Sequence, residues 1–398
     1  MSQPSMFPTE VPVPNPAVLA WARDVGGFDV GRVAKRLSVK ERRIEEWESG
    51  DGVPTIRQLT NLAHLYHRPF SMFYQATMPT ERPITAEYRR LPEIQPGAES
   101  ADFRLAIRHM LFRRDVTLDL MEELGYDWSE FTLTASLGDD PAQVGAALRQ
   151  AIGITVEEQR SWKSSWQAWR EWRRAIEEAG VLVSMFPKVA LEEARGVALL
   201  RRPLPVVAVN TKEDAESRAF TALHEMVHLM LARAHEERSA DEDRRSNEEI
   251  LRAERFADEA AGNALLPRQA LADDLRGGFV VDVESIRQLA LRYRVTPLAM
   301  ATRLWRSELI SGGQYNDWRS AWQNVIDGLP KKKGGFATPV SKALGRGGRS
   351  YCQLVIEALD SGRITIADAT KWLNLRSSQL ETLRTKLVAG TSGGGADE

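Results

Sequence analysis

Two histidines and a glutamate near the middle of the chain have the types and the spacing that metal chemistry requires. Residues 220–231 contain His224, Glu225 and His228 in the pattern H-E-x-x-H. Histidines four residues apart on a helix project from one face, so both imidazoles can reach one metal ion. The glutamate after the first histidine can then contact a water on that metal, which is how metallopeptidases use this motif. An ordinary helix with polar residues is the alternative, and the motif alone leaves both interpretations open.

A third metal ligand is expected from a second helix, because zinc in hydrolases usually takes three protein ligands and keeps one position open. A helix is predicted from about residue 248 to residue 266. One side of it is small, since it carries Ala253, Ala257, Ala260, Ala261 and Ala264. Glu254 is in line with that side and Asp258 follows one turn later. We therefore expect Glu254 at the metal and Asp258 behind it, orienting a histidine ring.

The residues that follow the motif exclude one class of zinc peptidase. A metzincin requires Gly at position 231 and His at position 234, where this chain has Leu231 and Ala234. His235 is a poor ligand because it lies off the helical face that His224 and His228 share. For the oxyanion partner the chain offers only candidates, namely His235 and the arginines of the charged loop 238–245.

Three separate motifs in this part of the chain resemble the ImmA/IrrE metallopeptidase family. They are the segments 205–210, 220–228 and 254–267, and the resemblance covers roughly residues 165–310. It implies one zinc ion, with Mn²⁺ as the alternative, held by His224, His228 and Glu254, and it implies a catalytic role for Glu225. One departure is Ala260, where the family more often has Phe, and this departure concerns packing.

The N-terminal part of the chain predicts a helix-turn-helix. Short helices are expected between residues 16 and 74, and the third begins with Lys40, Glu41, Arg42 and Arg43. In a helix-turn-helix this end of the recognition helix meets bases and phosphates. A helical bundle with a solvated charged face is the alternative. Residues 34–55 resemble the XRE-type helix-turn-helix, which implies an operator in double-stranded DNA and a homodimer as the default state.

Composition limits the remaining possibilities. A net charge of −2 does not indicate a nucleic-acid binder, so DNA contacts must come from a local patch. The single Cys352 excludes an intramolecular disulfide and fits a reducing cytosol. The first residues show neither a basic start nor an apolar run, and no apolar stretch reaches membrane-spanning length. The sequence therefore predicts a cytoplasmic protein with no membrane partner.

The predicted fold class is α+β and mostly helical. Three apolar runs between residues 181 and 209 predict a small sheet. A stripe of tryptophans at helical spacing predicts a buried helix face, with an exposed stacking platform as the alternative; it consists of Trp162, Trp166, Trp169 and Trp172. The predicted division is a disordered leader (1–15), a helix-turn-helix bundle (16–78), a linker and helical connector (79–160), a gluzincin-like α/β metallopeptidase domain (161–312), a basic Gly-rich linker (313–350), a helical unit (351–389) and a disordered tail (390–398).

The predicted function is that of a DNA-binding transcriptional regulator with a zinc endopeptidase domain. By resemblance, its protein substrate is a helix-turn-helix repressor, cleaved in a stress, DNA-damage or mobile-element response. One alternative is a non-cleaving transcription factor or antitoxin-like regulator that uses the peptidase fold as a sensor. Another is a protease whose helix-turn-helix only docks to a protein partner.

Overall fold

A computed structural model describes residues 13–66, 68–79, 99–236, 247–328 and 337–389. These residues form seventeen α-helices and three β-strands, which confirms the α+β, mostly helical class. Residues 1–12 of the predicted leader, most of the predicted linker at 79–98, the charged loop 238–245 and the predicted tail lie outside the described residues. Within the described part of the chain, no helix is long and apolar enough to cross a membrane.

The chain divides into two compact units. The first is Met1–Ala86 with Ile94–His109, and the second is Glu87–Glu93 with Met110–Glu398. The first unit contains the helices α1 (Pro16–Gly26), α2 (Val30–Leu37), α3 (Glu41–Ser49) and α4 (Ile56–Tyr66), then a 3₁₀ helix (Phe70–Tyr74). Its core is built around Ile44, Trp47 and Tyr66, each 1% exposed.

The helices α2 and α3 are separated by a three-residue turn. Ser38 ends α2 in the left-handed conformation, with φ of 57°, and its amide donates to the carbonyl groups of Ala34 and Lys35. Lys40 is the N-cap of α3. The bidentate ion pair between Arg23 of α1 and Glu48 of α3, with Nε–Oε1 at 2.8 Å, fixes α3 against the bundle.

The second unit contains the sheet, whose strands are β1 (Leu182–Phe186), β2 (Gly196–Leu199) and β3 (Val206–Asn210). The order is β1-β3-β2, with β1 parallel and β2 antiparallel to β3. All residues of β1 and β3 are buried, as expected for the apolar runs that predicted them.

The helices between residues 101 and 306 follow in chain order. They are α5 (Ala101–Leu124), α6 (Pro141–Ile152), α7 (Val156–Ser161), α8 (Ser165–Glu178), α9 (Ala215–Glu236), α10 (Asn247–Leu265), α11 (Arg268–Asp274), α12 (Val283–Tyr293) and α13 (Pro297–Arg306). Of these, α8 and α9 contact the sheet. The division between the two units falls within α5. Helix α9 packs against α8, β2 and β3 on one side and against α10 on another, and α10 packs most extensively against α6.

Most of the predicted linker 313–350 is helical, which differs from the prediction. The remaining helices are α14 (Gly312–Asp327), α15 (Pro339–Asp360), α16 (Ile366–Leu373) and α17 (Ser377–Ala389). A capping box between Ser311 and Gln314 starts α14, and burial of Tyr315 and Trp318 holds it in place. Gly347 and Gly348 of α15 are both buried, and Gly348, with φ of 83°, forms a kink that divides α15 into two helical segments.

The predicted tryptophan stripe is only partly a core face. Trp162, Trp169 and Trp172 are buried, but Trp162 precedes α8 rather than lying on it. Trp166 is 40% exposed, and the guanidinium of Arg218 lies 4.6 Å from its ring centroid. The four-residue step from Trp162 to Trp166 therefore does not reflect one helix.

Candidate metal centre

Helix α9 carries the H-E-x-x-H motif in a place that is largely shielded from water. Its buried stripe includes Leu223, Val227 and Met230, each at most 1% exposed, and this stripe is what joins the helix to its neighbours. The side chains of His224 and His228 lie at the margin of this stripe, 14% and 5% exposed respectively. Both imidazoles can therefore hold a metal in a site that is partly dry and still open.

Glu254 of α10 meets both histidines. The Nε2 atoms of His224 and His228 are 3.0 Å apart, and each lies 3.2 Å from one carboxylate oxygen of Glu254. Two ring nitrogens and a carboxylate thus converge on one point. Among the described residues, these three form the group whose ligand atoms could share a metal ion.

The triangle of ligand atoms fits a zinc ion. Ligands about 2.1 Å from a tetrahedral zinc lie about 3.4 Å apart, close to the separations found here. Two imidazole nitrogens that face each other repel unless a proton or a cation lies between them. Two His and one Glu are also a donor set of catalytic zinc sites, with a fourth position left open.

Asp258 lies behind the first histidine, one turn after Glu254 on α10. Its Oδ1 is 3.2 Å from Nδ1 of His224, and its Oδ2 is 3.6 Å from Nη1 of Arg306. A carboxylate at Nδ1 fixes the proton on that nitrogen and leaves Nε2 for the metal. The positions of Asp258 and Glu254 are therefore those that the sequence predicts, although their roles stay predictions.

The protonation of the metal-free cluster follows from burial and hydrogen bonding. Burial lowers the pKa of His224, but the neighbouring carboxylates of Asp258 and Glu254 outweigh it and raise that pKa to about 10. Burial lowers the pKa of His228. Burial opposes ionisation of Glu254, yet its hydrogen bonds with the two histidines lower its pKa to about 2. Without a metal, a proton held by the two imidazoles beside Glu254 takes the place of the cation.

Glu225 is buried and faces strand β2. A Cβ built on Gly196 would lie 2.5 Å from its Oε1, so the carboxyl group occupies the space that any larger residue would fill. Burial raises the pKa of Glu225 to about 7, and the negative charges of Glu254 and Glu213 add to this shift, while His224 opposes it. Such a carboxyl group can accept and release a proton near neutrality.

Sequence reasoning missed two residues of this environment. Glu213 precedes α9, is buried, and accepts a hydrogen bond from Thr221 Oγ1 at 2.6 Å and another from Arg195 at 3.1 Å. Gly196 begins β2, and the glycine at the start of a short apolar run was its only signal. No sequence pattern indicated that either residue lies beside Glu225, because the contacts depend on how α9 docks on the sheet.

The predicted DNA-binding residues lie together at the start of α3. Lys40 is the N-cap and Glu41 is the first residue of the helix. The Arg42 side chain is 86% exposed and that of Arg43 is 49% exposed, and both pair with Glu46 at 3.1 and 3.0 Å. The side chain of His235 and the arginines of 238–245, named as oxyanion candidates, lie outside the described residues.

Comparison with known families agrees with the geometry of the site. Residues 176–304 match the model of the IrrE N-terminal-like domain, Peptidase_M78. The matched segment contains the motif, Glu254 and Asp258, and domains of this family are generally zinc-dependent. No curated protein matches the chain.

Proposed function

We propose that the second unit is a zinc-dependent endopeptidase and that the first unit binds DNA, so that the chain is a transcriptional regulator with its own protease. The observation that carries the first part is the convergence of His224 Nε2, His228 Nε2 and Glu254 within 3.2 Å, with Glu225 on the same helix. The match of residues 176–304 to a peptidase family supports it.

In this proposal each residue of the site would have a distinct role in peptide hydrolysis. His224, His228 and Glu254 would hold the zinc, which when bound supplies Lewis-acid activation of water and of the scissile carbonyl. Glu225 would take the proton from the attacking water and deliver it to the leaving amine. Asp258 would hold the proton of His224 on Nδ1, which keeps Nε2 available as a ligand.

The substrate in this proposal is a protein, and by the resemblance of the chain it is a helix-turn-helix repressor cleaved under stress, DNA damage or mobile-element control. The test compares wild type with Glu225→Gln, expressed at equal levels in cells of the source organism. Mass spectrometry of protein N-termini should reveal new ends that appear with wild type and not with the variant. Zinc content of both purified proteins should be about one ion per chain.

A matched control is Glu259→Gln, which removes an exposed carboxylate from α10. It should retain both zinc and cleavage. Identical sets of N-termini from wild type and Glu225→Gln, with zinc bound to both, would instead support the alternative of a non-cleaving sensor. Absence of zinc from the purified wild-type protein would contradict the proposed zinc peptidase.

DNA binding rests on the α2–turn–α3 arrangement and on the exposure of Arg42 and Arg43. The operator can be found by selecting random-sequence duplexes with the full chain. Replacing both arginines by alanine should weaken binding to the selected duplex by about tenfold or more, since a good contact to a base contributes about 1–3 kcal/mol. Arg276→Ala with Arg287→Ala, two exposed cations of the second unit, is the charge-matched control. Unchanged affinity in the Arg42 and Arg43 variant would refute the assignment of α3 as the recognition helix.

A further inference from the structure

The last two helices of the chain repeat the arrangement of α2 and α3. Helix α16 has eight residues, as α2 has, and three residues separate it from α17, as three separate α2 from α3. Asn374 ends α16 in the left-handed conformation with φ of 52°, where Ser38 ends α2 with φ of 57°. The two segments therefore align residue for residue from Val30 and Ile366 onward.

The backbone hydrogen bonds that shape the two turns correspond pair by pair. The first bond runs from amide to carbonyl over 3.0 Å in both segments, from Val39 to Ala34 and from Leu375 to Thr370. The second runs over 2.9 Å in both segments, from Arg43 to Lys40 and from Gln379 to Arg376. The same turn therefore sets the direction of the second helix in each segment.

The apolar positions that hold the two helices of each segment together also coincide. Buried residues of the first segment align with buried residues of the second, namely Val33 with Ala369, Ile44 with Leu380 and Trp47 with Leu383. Helix α15 packs against both α16 and α17 and covers their apolar sides. The polar sides of these two helices lie outside that core, so they are available to a partner.

The turn alone does not indicate a binding surface. It also joins α12 to α13, where Arg294 is left-handed with φ of 57°. There the second helix is built into the core through Met300 and Leu304, and its exposed side carries Leu298 and Trp305. The side chains that the second helix presents to solvent therefore decide what each segment can bind.

Helix α17 presents polar side chains to solvent in its first turns. Ser377, Ser378 and Thr382 are exposed, and so is Arg376, which precedes the helix as Lys40 precedes α3. Hydroxyl groups both donate and accept hydrogen bonds, so they can contact base edges as well as phosphate oxygens. In a helix-turn-helix this end of the second helix lies in the major groove.

A local excess of positive charge accompanies this face. Residues 337–389 contain eight Lys and Arg and four Asp and Glu, a net charge of +4, within a chain of net charge −2. Lys371 and Arg376, on either side of the turn, are exposed. Among the described residues, the ion pairs of this segment involve Arg384 and neither of these two cations. Exposed cations beside a helix-turn-helix favour contact with the phosphate backbone of DNA.

We propose that α16 and α17 form a second helix-turn-helix that binds double-stranded DNA, with α17 as its recognition helix. Arg376 would contact a phosphate, and Ser377, Ser378 and Thr382 would hydrogen-bond to base edges and phosphates of one major groove. The proposal goes beyond the DNA binding proposed for α3 and does not rest on it, because each segment has its own core and its own exposed face.

The first experiment adds negative charge to α17 in the full chain. Ser377→Glu with Ser378→Glu places two carboxylates in the first turn, where the helix dipole favours them, so the helix should remain folded. Duplexes are selected from random sequence with the wild-type chain, and fluorescence anisotropy measures the affinity for a selected duplex. The variant should bind at least about tenfold more weakly, because like charges brought together at an interface cost several kcal/mol.

Ala142→Glu with Gln143→Glu is the matched control. Both residues are exposed in the first turn of α6, so the control makes the same change in net charge at the same place in a helix. Its affinity for the duplex should equal that of wild type. Wild-type affinity of the α17 variant, equal weakening by the control, or failure of the wild-type chain to select any duplex would overturn the proposal.

The second experiment removes one cation and measures salt dependence. Arg376→Gln should reduce the slope of log affinity against log salt concentration by about 0.9, the value for one lost phosphate contact. Arg287→Gln, an exposed cation of α12, should leave the slope unchanged. An unaltered slope in Arg376→Gln would contradict the contact with phosphate.

The proposals for α17 and α3 fail separately. Loss of affinity in the Arg42→Ala and Arg43→Ala variant alone would refute the assignment of α17 and keep that of α3, and loss in the α17 variant alone would do the reverse. Sedimentation of the same proteins without DNA tests a second copy of the chain as the partner instead. A change of mass in the α17 variant with unaltered affinity for DNA would assign this face to self-association and overturn the proposal.

Discussion

The carboxyl group of Glu225 lies directly against the backbone of Gly196. A Cβ on Gly196 would come within 2.5 Å of Glu225 Oε1, 2.8 Å of its Cγ and 2.7 Å of Thr221 Cγ2. A strand residue without a side chain therefore determines where the proposed general base can lie. The first residue of β2 therefore packs against the second and third turns of α9, which carry Thr221 and Glu225.

Gly196→Ala should consequently impair catalysis without removing a ligand. The methyl group would displace Glu225, and loss of a positioned general base costs about 100-fold or more in rate. Overpacking should also lower the free energy of unfolding by about 1–3 kcal/mol. Cleavage rate, zinc content and chemical denaturation measure the three effects separately, and zinc content should stay near wild type.

The control for this variant is Gly138→Ala, where the added methyl group would meet nothing within 4 Å. It should leave rate and stability unchanged. A Gly196→Ala protein that cleaves as fast as wild type would contradict the placement of Glu225 as the base.

The two residue pairs of the candidate site, one on α9 and one on α10, were predictable from sequence because each depends on local helical spacing. His224 and His228 share a face by the four-residue rule, and Glu254 and Asp258 share one by the same rule. The small alanine side of α10 indicated that another helix approaches closely. Peptidase-family similarity over residues 176–304 agrees with that interpretation.

Contacts between distant elements were not predictable in this way. Nothing local places Gly196 beside Glu225, or Arg149 at the end of α10, because both contacts arise from the docking of one element on another. The prediction of a linker at 313–350 is wrong for a different reason, because a local sequence signal indicates a helix there. The glycines of this segment favour a linker, whereas the structure has helices α14 and α15 there, and Ser311 with Gln314 three residues later is a capping-box pattern that indicates the start of α14.

Asp258→Asn should weaken zinc binding without abolishing it. The amide keeps the size of the residue but removes the charge beside His224 Nδ1, 3.2 Å away. Loss of such an orienting partner typically costs about 10–100-fold in metal affinity. Competition with a chromophoric chelator measures the change. Glu259→Gln, the neighbouring exposed carboxylate, should leave the affinity unaltered, and equal weakening by both variants would argue against a specific role for Asp258.

Zinc binding at pH 8 should release at least one proton per ion, namely the proton that His224 holds in the metal-free protein. At that pH the metal-free protein keeps a proton on His224, whose pKa is about 10, while His228 has a lowered pKa and Glu254, with a pKa of about 2, is ionised. A ligand nitrogen must lose its proton when the metal binds. Calorimetry in buffers of different ionisation enthalpy gives the count, and a value near zero would contradict the protonated His224.

The metal-free protein should lose stability as the pH rises through about 7, in part because of Glu225. Burial raises the pKa of this group to about 7, so the folded state favours the protonated form. The contribution of Glu225 to stability is therefore complete below the pKa of a glutamate in the unfolded chain, about 4.3. It is lost as the pH rises from there through the pKa of Glu225 in the folded state. The upper bound on the contribution of this group to the free energy of unfolding is about 4 kcal/mol.

Glu225→Gln tests that contribution, since it cannot ionise. Urea denaturation of chelator-treated protein measures the free energy of unfolding. At pH 5 this free energy should be the same in the variant as in wild type, or lower. At pH 8 the free energy of unfolding of the variant should exceed that of wild type by about 1–3 kcal/mol. A difference between the two proteins that does not change with pH would show that Glu225 titrates normally in the folded state.

The contact between α6 and α10 leads to a prediction that runs against helix propensity. Alanine in place of a glycine inside a helix usually stabilises by about 1 kcal/mol. At Gly145 of α6, however, the added Cβ would lie 2.4 Å from the carbonyl oxygen of Ala260 and 2.9 Å from the amide nitrogen of Ala264. These are backbone atoms of α10, which cannot move away as a side-chain end can. Gly145→Ala should therefore destabilise the protein by about 1–3 kcal/mol.

Gly262→Ala on α10 is the matched control for that contact. Its Cβ would meet Arg303 Cδ at 3.6 Å, an ordinary contact, so the propensity gain should appear and the protein should be unchanged or slightly more stable. Zinc affinity should fall in Gly145→Ala and not in Gly262→Ala. Only the first substitution pushes α10, the helix that carries Glu254 and Asp258, away from α6. Equal stability of the two variants would show that α6 does not hold α10 in place.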